Sequence, residues 1–566
     1  MIEVARGDRP ADLVLANARI VNVFTGEVEE GDVAVYDGRI AGVGESYRGA
    51  QTVDLKRRYL LPGFISGHTH IESSLLNPSE YARAVLPHGT TTVVTDLHEV
   101  ANVSGLWGLE QILGWATRLP LDIFLMVPSC VPATDMETAG ACLTAEAVAQ
   151  ALALPNALGL GEVMNFPGVV AGYDDCLAKV EAVGEAPVDG HAPGLRGKAL
   201  SAYLAAGPRS DHETTTLAEG QEKLRRGMWL MIREGTSAKN LEELLPLVDD
   251  TAWPRCMFVV DDRSCVDLLH DGDVDAVVRK AVRLGLDPIR AVQLVTISPA
   301  TYFRLRDRGA IGPGYMANLI VAEDLRDLWP LEVYHAGRLV AREGKASFSA
   351  DIAPKPGLTC TVHVKPLPRE ALALPARGTA FPVIEVIPRQ IITRRRMEPA
   401  AVKDGHIVPD VGRDILKLVV VERHRATGNV GVGLVTGFGL KQGAIGSTFA
   451  HDSHNIVVAG TNDDDIQAAV QELERMQGGL VVVAEGNVMA ALPLPIAGLL
   501  SAESLETTAT RLQAVEAAAA SLGAAIPAPF AVLSFVALPV IPSLRLTDKG
   551  LVDVERGAFF DFSAVA

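Results

Sequence analysis

The sequence predicts an α/β protein: a (β/α)8 TIM-like barrel inserted in a small β-sandwich, followed by a C-terminal α+β domain. Three observations predict it. Between residues 62 and 308, eight short apolar runs alternate with helical stretches, the rhythm of parallel strands joined by crossover helices. The two flanks, 1–61 and 309–350, share a different texture of short β-branched strands and turn signals such as Asp37-Gly38, so one small domain is built from both. A Pro/Gly linker, DIAPKPGL from Asp351, then leads to a third region, 360–566, that mixes strands and helices.

The eight strand candidates are, in order, GFISGHTH, TTTVVTDLHE, LDIFLMVPS, ALGLGEVMN, APVDGHAP, RSDHET, WLMIREG and CMFVVDD. Helical stretches between them include PSEYARAVLPHG, TAEAVAQALALP, LRGKALSAYLAAG, AKNLEELLPLV and DAVVRKAVRLG. An open doubly wound sheet is disfavoured because no GxGxxG follows a strand. In the third region KLVVVERH and LVVVAEG read as strands, and DDDIQAAVQELERM and TATRLQAVEAAAASLG as helices. Phe530 to Leu538, bounded by Pro529 and Pro539, reads as a buried strand.

Composition narrows the function classes. The 566-residue chain is 48% hydrophobic and 21% charged, an ordinary soluble composition able to bury large cores. Its net charge of −18 argues against a nucleic-acid footprint or an anionic membrane surface as partner. The first twenty residues lack the apolar core of a signal peptide, and no apolar run reaches the ~18 residues of a membrane span. Cys130, Cys142, Cys176, Cys256, Cys265 and Cys360 are scattered without a CxxC pair, which indicates neither a disulfide framework nor a Cys-type zinc site. The expected compartment is the cytoplasm.

Polar residues gather at the C-terminal ends of the strand candidates, the end of a barrel where chemistry is done. His68 and His70 close the first strand, Glu162 lies in the fourth, His191 in the fifth, His212 in the sixth, and Asp261 ends the eighth. Residues i and i+2 of a strand face the same way, so His68 and His70 can point at one centre. A lone HxH is a weak motif, and His191 or Glu162 alone reads equally well as a satisfied core or capping group. Four histidines and two carboxylates on separate strand ends together read as a divalent metal site suited to zinc, manganese or iron. Weaker motifs fail: His70-Ile71-Glu72 is followed by no PCxxC, and His98-Glu99 opens an HExxH that Asn102 breaks. There is no P-loop and no GxSxG.

This order of ligands resembles the amidohydrolase superfamily. Within it the chain is similar to the bacterial-type adenine deaminase family, through PGFISGHTHIESS, TDLHEVANV, GLGEVMNFPGVV, VDGHAPGLRGKALSAYLAAG, MIREGTSAKNL and FVVDDR, and downstream through ERHRATGNVGVGLVTGFGL, GAIGSTFAHDSHNIVVAGTN and LPVIPSLRLTDKGLVDV. The resemblance implies two divalent ions (manganese, iron or zinc) that activate water: one held by His68, His70 and Asp261, the other by His191 and His212, with Glu162 bridging. It implies hydrolytic deamination of adenine, Asp261 moving a proton from the attacking water to the leaving amine. Glu234 is the first candidate to protonate a ring nitrogen, with Glu72 and Glu99 next. Arg233, His451 and His454 are further candidates for substrate contact, the last two in an AHDSHN segment that reaches over the barrel mouth to touch substrate or hold an extra metal. RHRATGN, from Arg423 to Asn429, reads as an anion-binding loop or as a plain turn. The C-terminal domain is expected to cap the site or support a homo-oligomer, dimer or tetramer.

The family pattern leads one to expect Asp at Ser66, Pro at Leu97 and His at Asp273, so substrate breadth is left open. A cyclic-amide hydrolase is a rival reading, disfavoured because no lysine lies between Leu158 and Phe166 for carboxylation. Deamination of a related aminopurine is a second rival, and a non-catalytic metal-binding protein a third.

Overall fold

The computed structural model describes residues 1–349, 354–376, 378, 380–388 and 390–562; the opening of the predicted linker, Asp351 to Ala353, lies outside them. Eight strands run parallel in chain order: β1 Phe64–Thr69, β2 Thr90–Thr95, β3 Asp122–Val127, β4 Ala157–Val163, β5 Val188–Gly190, β6 Ser210–Asp211, β7 Trp229–Arg233 and β8 Cys256–Val259. The first five pair as one sheet and the last three as another. Backbone bonds cross both seams. Arg209 N donates to Val188 O at 2.9 Å between β5 and β6, and Asp261 N donates to His68 O at 3.1 Å between β8 and β1. The result is a curled parallel sheet with helices between successive strands.

Side-chain alternation explains the layers. Ile65, Val94, Met126, Met231 and Met257 cluster together, while Phe64, Leu230, Ile232 and Phe258 pack with Leu244, Val277 and Val292 from the helical segments. The helices start where the sequence supplies a cap. Asn77 accepts from Ser79 N and Glu80 N ahead of Pro78–Val85, with proline at the first helical position.

The flanks meet as expected. Five strands from residues 11–62 and four from 319–346 form one nine-stranded sheet. Tyr59–Pro62 pairs antiparallel with Leu319–Ala322, so the chain leaves this sheet into β1 and returns beside its own exit. Asp37 and Gly38 both take positive φ in the turn between Glu27–Tyr36 and Arg39–Val43, the conformation Asp-Gly favours in a tight hairpin.

The third region holds an eight-stranded sheet backed by the helix Asp463–Arg475, plus the alanine-rich helix Leu505–Ser521. One expectation is corrected here: Phe530 to Leu538 is not a strand, since Pro529–Phe535 is a helix. Pro529 sits at its first position, where the fixed φ of proline favours a helix start and its missing N–H costs nothing. The region docks on the segments that join the parallel strands through Asn77 Nδ2 to Ser501 O (3.0 Å), Asn455 Nδ2 to Thr138 O (2.9 Å) and Thr138 N to Asp548 Oδ1 (2.9 Å). Among the described residues no helix is long and apolar enough to cross a membrane, and all six cysteines are free.

Candidate metal centre

The six residues expected as ligands converge above the strand ends, all buried. The β1–β2 register slips between Ser66 and Thr69, and His70 follows directly, so both imidazoles reach one carboxylate: Asp261 Oδ1 lies 3.0 Å from His70 Nε2 and 3.5 Å from His68 Nε2. Asp261 itself takes φ +58 just beyond β8, a left-handed step aspartate tolerates better than most residues. Glu162 spans two groups. Its Oε1 is 3.2 Å from His70 Nε2; its Oε2 is 2.6 Å from His191 Nδ1 and 3.2 Å from His212 Nε2. Burial opposes the charge of Glu162, but His212 and His191 hold its carboxyl well below the ordinary range. Burial likewise disfavours an imidazolium at His212, yet Glu162 pushes it up to about 9.

This is a donor set that fits divalent cations. Imidazole nitrogens and carboxylate oxygens come together in overlapping groups, His68 with His70 and Glu162, His68 with His212 and Asp261, and Glu162 with His191 and His212. His68 Nε2 and His212 Nδ1 are buried without a hydrogen-bond partner, and the cluster packs its carboxylates around a single guanidinium, Arg233.

Other candidates divide. Arg233 donates from Nη1 to Asp261 Oδ2 at 2.6 Å and grips both oxygens of Glu213, so its guanidinium is held by these two carboxylates. Glu234 is not brought into the cluster. Its Oε1 pairs with Lys280 Nζ at 2.6 Å and its Oε2 accepts from Leu241 N, which ties it to the helices outside β7. Glu72 and Glu99 are in the cluster, fully buried. Glu72 Oε1 accepts from Val100 N while Oε2 has no partner, and burial raises its carboxyl. Glu99 has neither oxygen hydrogen-bonded, and burial with Glu72 nearby raises it further. His451 Nδ1 lies 3.7 Å from Glu99 Oε1, its ring stacked on Phe535 at 4.4 Å. His454 turns back instead, accepting from Ala450 N through Nδ1.

Three residues of the centre escape sequence reasoning: Asp96, His98 and Glu213. Asp96 Oδ1 is 3.0 Å from both His70 Nδ1 and His98 Nδ1; the His98 contact is a hydrogen bond that orients its ring, whereas His70 Nδ1 has no hydrogen-bond partner. The signal is present in the chain, because Asp96, His98 and Glu99 follow the end of β2 just as His70 follows β1. Leu97 between them takes φ +52, a conformation closed to the expected proline. Ser66 is buried with its hydroxyl unpartnered, and Asp273 accepts from Thr90 Oγ1 at 2.6 Å, at the start of β2 rather than at the cluster. The Arg423–Asn429 loop is not built for an external anion: the N–H groups of His424, Arg425 and Thr427 all donate to Glu422. Arg423, wholly buried, donates instead to the carbonyls of His454 and Ala497, and His424 Nε2 meets Ser453 O at 2.7 Å, so this loop braces residues 451–454.

A cavity of about 270 Å³ lies between the barrel and the C-terminal region, lined by Ser73, Thr236, Asp262, His451, Phe530 and Phe535 among others.

A curled parallel α/β sheet with clustered imidazoles and carboxylates at its strand ends defines a metal-dependent hydrolase of the amidohydrolase type. Residues 59–340 match the model of the Amidohydrolase family, and residues 390–558 match that of the Adenine deaminase C-terminal domain. The chain is 56% identical to an adenine deaminase of Dehalococcoides mccartyi, covering 98% of this chain and 97% of that protein, and 50% identical to adenine deaminase 2 of Carboxydothermus hydrogenoformans over the same shares. A solved adenine deaminase structure aligns with 58% of this chain and 99% of its own at 18% identity and a TM-score of 0.45. The chain belongs to the adenine deaminase family.

Proposed function

We propose that this protein hydrolyses adenine to hypoxanthine and ammonia, in the salvage of purines. The observation that carries the reading is near-full-length identity of 56% to a protein named adenine deaminase. We read the curled sheet as a complete (β/α)8 barrel, with the nine-stranded sheet as a sandwich around it, and the domains as 1–61 with 309–350, 62–308, and 360–566. A homo-oligomer in the cytoplasm belongs to the same reading.

His68, His70 and Asp261 would hold one divalent ion, His191 and His212 the other, and Glu162 both; manganese, iron and zinc all suit these donors. Bound there, the ions lower the pKa of water so that a nucleophile exists near neutral pH. The residues supply the rest. Asp261 takes the proton of the attacking water on a carboxylate oxygen and returns it to the departing N6 amine. Arg233 fixes the direction of that carboxylate through its 2.6 Å bond to Oδ2. Attack at C6 pushes electrons onto the ring, and Glu72, whose Oε2 is buried and unpartnered, would protonate a ring nitrogen in place of Glu234 and regain a proton from the C6 hydroxyl as the amine departs. The purine would sit against Phe535 and His451, which line the cavity between residues of the 62–308 region and of the C-terminal region.

Ammonia release from adenine by the metal-reconstituted protein tests this, with Asp261→Asn as control. Release by the parent and its loss in the variant support the reading. No release with manganese, iron or zinc, in protein that still binds its ions, sinks adenine as the substrate.

A further inference from the structure

The geometry points to a third divalent cation, held between the barrel and the C-terminal domain by His98 Nε2, Glu99 Oε1, His451 Nδ1 and Asp452 Oδ1. Four distances define the site. His98 Nε2 is 3.6 Å from Glu99 Oε1 and 3.7 Å from Asp452 Oδ1; His451 Nδ1 is 3.7 Å from Glu99 Oε1 and 3.6 Å from Asp452 Oδ1. Nitrogen and oxygen donors alternate around a closed ring, each too far from its neighbours for a hydrogen bond. Zinc-type bonds of about 2.0–2.2 Å place tetrahedral donors about 3.3–3.6 Å apart, close to these four edges, and donor atoms of His98, His451 and Asp452 all lie within 4.8 Å of one another. A purine ring has no room between four atoms so near to one another, and of the four residues His451 lines the cavity.

Burial supplies the second argument. All four residues are at most 5% exposed, and Glu99 is fully enclosed. Both oxygens of Glu99, and Oδ2 of Asp452, lack any hydrogen-bond partner. Buried carboxylates are ordinarily hydrogen-bonded, paired or bound to a metal. No arginine or lysine pairs with Glu99 or Asp452 among the described residues; the cationic partners within ion-pair distance are imidazoles.

The surroundings prepare the donors. Asp96 binds His98 through Nδ1 at 3.0 Å, which leaves Nε2 to face the ring, and the same carboxylate oxygen sits 3.0 Å from His70 Nδ1. One acid thus sets the tautomer of an imidazole in the third site and lies against an imidazole of the two-ion centre. On the opposite side, Phe535 stacks on His451, and Arg423 and His424 hold the backbone of residues 453–454. The ligands come in adjacent pairs, two from the end of β2 and two from a loop some 350 residues later, so the ion would clamp the domains together over the strand ends.

The inference stands apart from the deamination reading, because ions are counted whether or not adenine turns over. The full-length protein, depleted of metal and reloaded with manganese(II) or zinc(II), is expected to retain about three ions per chain by elemental analysis after removal of free metal. Asp452→Asn and His451→Asn are each expected to retain about two. Glu162→Gln is expected to weaken the two-ion centre while keeping the third ion. Anomalous diffraction from the parent protein, which needs no variant to fold, is expected to show a peak enclosed by the four named atoms. Two ions per chain with no peak there, or three ions undiminished in Asp452→Asn, overturns the proposal.

Discussion

Arg233 and Asp261 are joined by a 2.6 Å hydrogen bond from Nη1 to Oδ2, while Asp261 Oδ1 faces His68 and His70. One oxygen is fixed by a guanidinium so that the other is aimed. Burial opposes the charge on Asp261, but Arg233 and the two imidazoles hold its carboxyl well below the ordinary range. Arg233→Met is therefore expected to lower kcat by about 10²-fold, the effect of a misplaced reacting group, with KM nearly unchanged. A rise in KM with kcat intact would make Arg233 a substrate contact instead.

Glu234→Gln tests the reassignment of that residue. Loss of a general acid costs about 10²–10⁴-fold in rate. With its carboxylate spent on Lys280 and Leu241, the expected fall in kcat is less than about tenfold. The loss in stability is about 1 kcal/mol, kept small because the Lys280 side chain is 31% exposed. Steady-state kinetics and urea unfolding read the two effects separately.

Asp96 has no direct role in holding an ion in this scheme, yet it hydrogen-bonds His98 Nδ1 and lies 3.0 Å from His70 Nδ1. Asp96→Ala is expected to weaken metal affinity about 10–100-fold, measured by competition with a chelator of known affinity. Unchanged affinity would mean that packing alone positions the imidazoles.

Behind His212, the buried Lys223 ammonium donates to Asp211 Oδ2 (2.9 Å), Glu219 Oε1 (2.6 Å) and Ala192 O (2.8 Å). Removing it in Lys223→Met leaves buried carboxylates uncompensated and is expected to cost about 3–5 kcal/mol. Burial opposes ionisation of Asp211, but Lys223, His212 and Thr214 hold it at about 2. A depressed carboxyl stabilises the fold fully above its unfolded pKa near 4, and that contribution fades as pH falls toward about 2. The gap in unfolding free energy between metal-free parent and Asp211→Asn is thus expected to shrink by about 2 kcal/mol as pH falls from about 5 to about 2, at about 1.4 kcal/mol per pKa unit. A pH-independent gap in urea titrations would place the effect in packing.

What the sequence made legible was local. His68 and His70 announce themselves because a strand end and an i, i+2 spacing are both readable in one dimension, and the same rule holds for Glu162, His191, His212 and Asp261. Asp96 and His98 obey the rule too, but the broken HExxH that opens at His98 points to a helix rather than to the strand end before it. Glu213 and Glu234 are each one residue past a visible landmark, and only the folded chain shows which carboxylate Arg233 grips. Phe530 to Leu538 failed for another reason: a short apolar run carries no period, and proline at its start serves a helix as well as it bounds a strand. His451 and Asp452 meet His98 across a domain boundary, a contact no spacing encodes.

The pairing of Tyr59–Pro62 with Leu319–Ala322 has a consequence for biosynthesis. Leu61 waits for Ile320, about 260 residues later, before the strand beside it exists. At ~5–20 residues per second, a ribosome takes about 13–50 s to deliver that partner. During this interval the first five strands carry an open edge outside the exit tunnel, exposed to any other unpaired strand nearby. Assembly of the curled parallel sheet brings the two strands together, so this edge is covered only once the residues between them have folded.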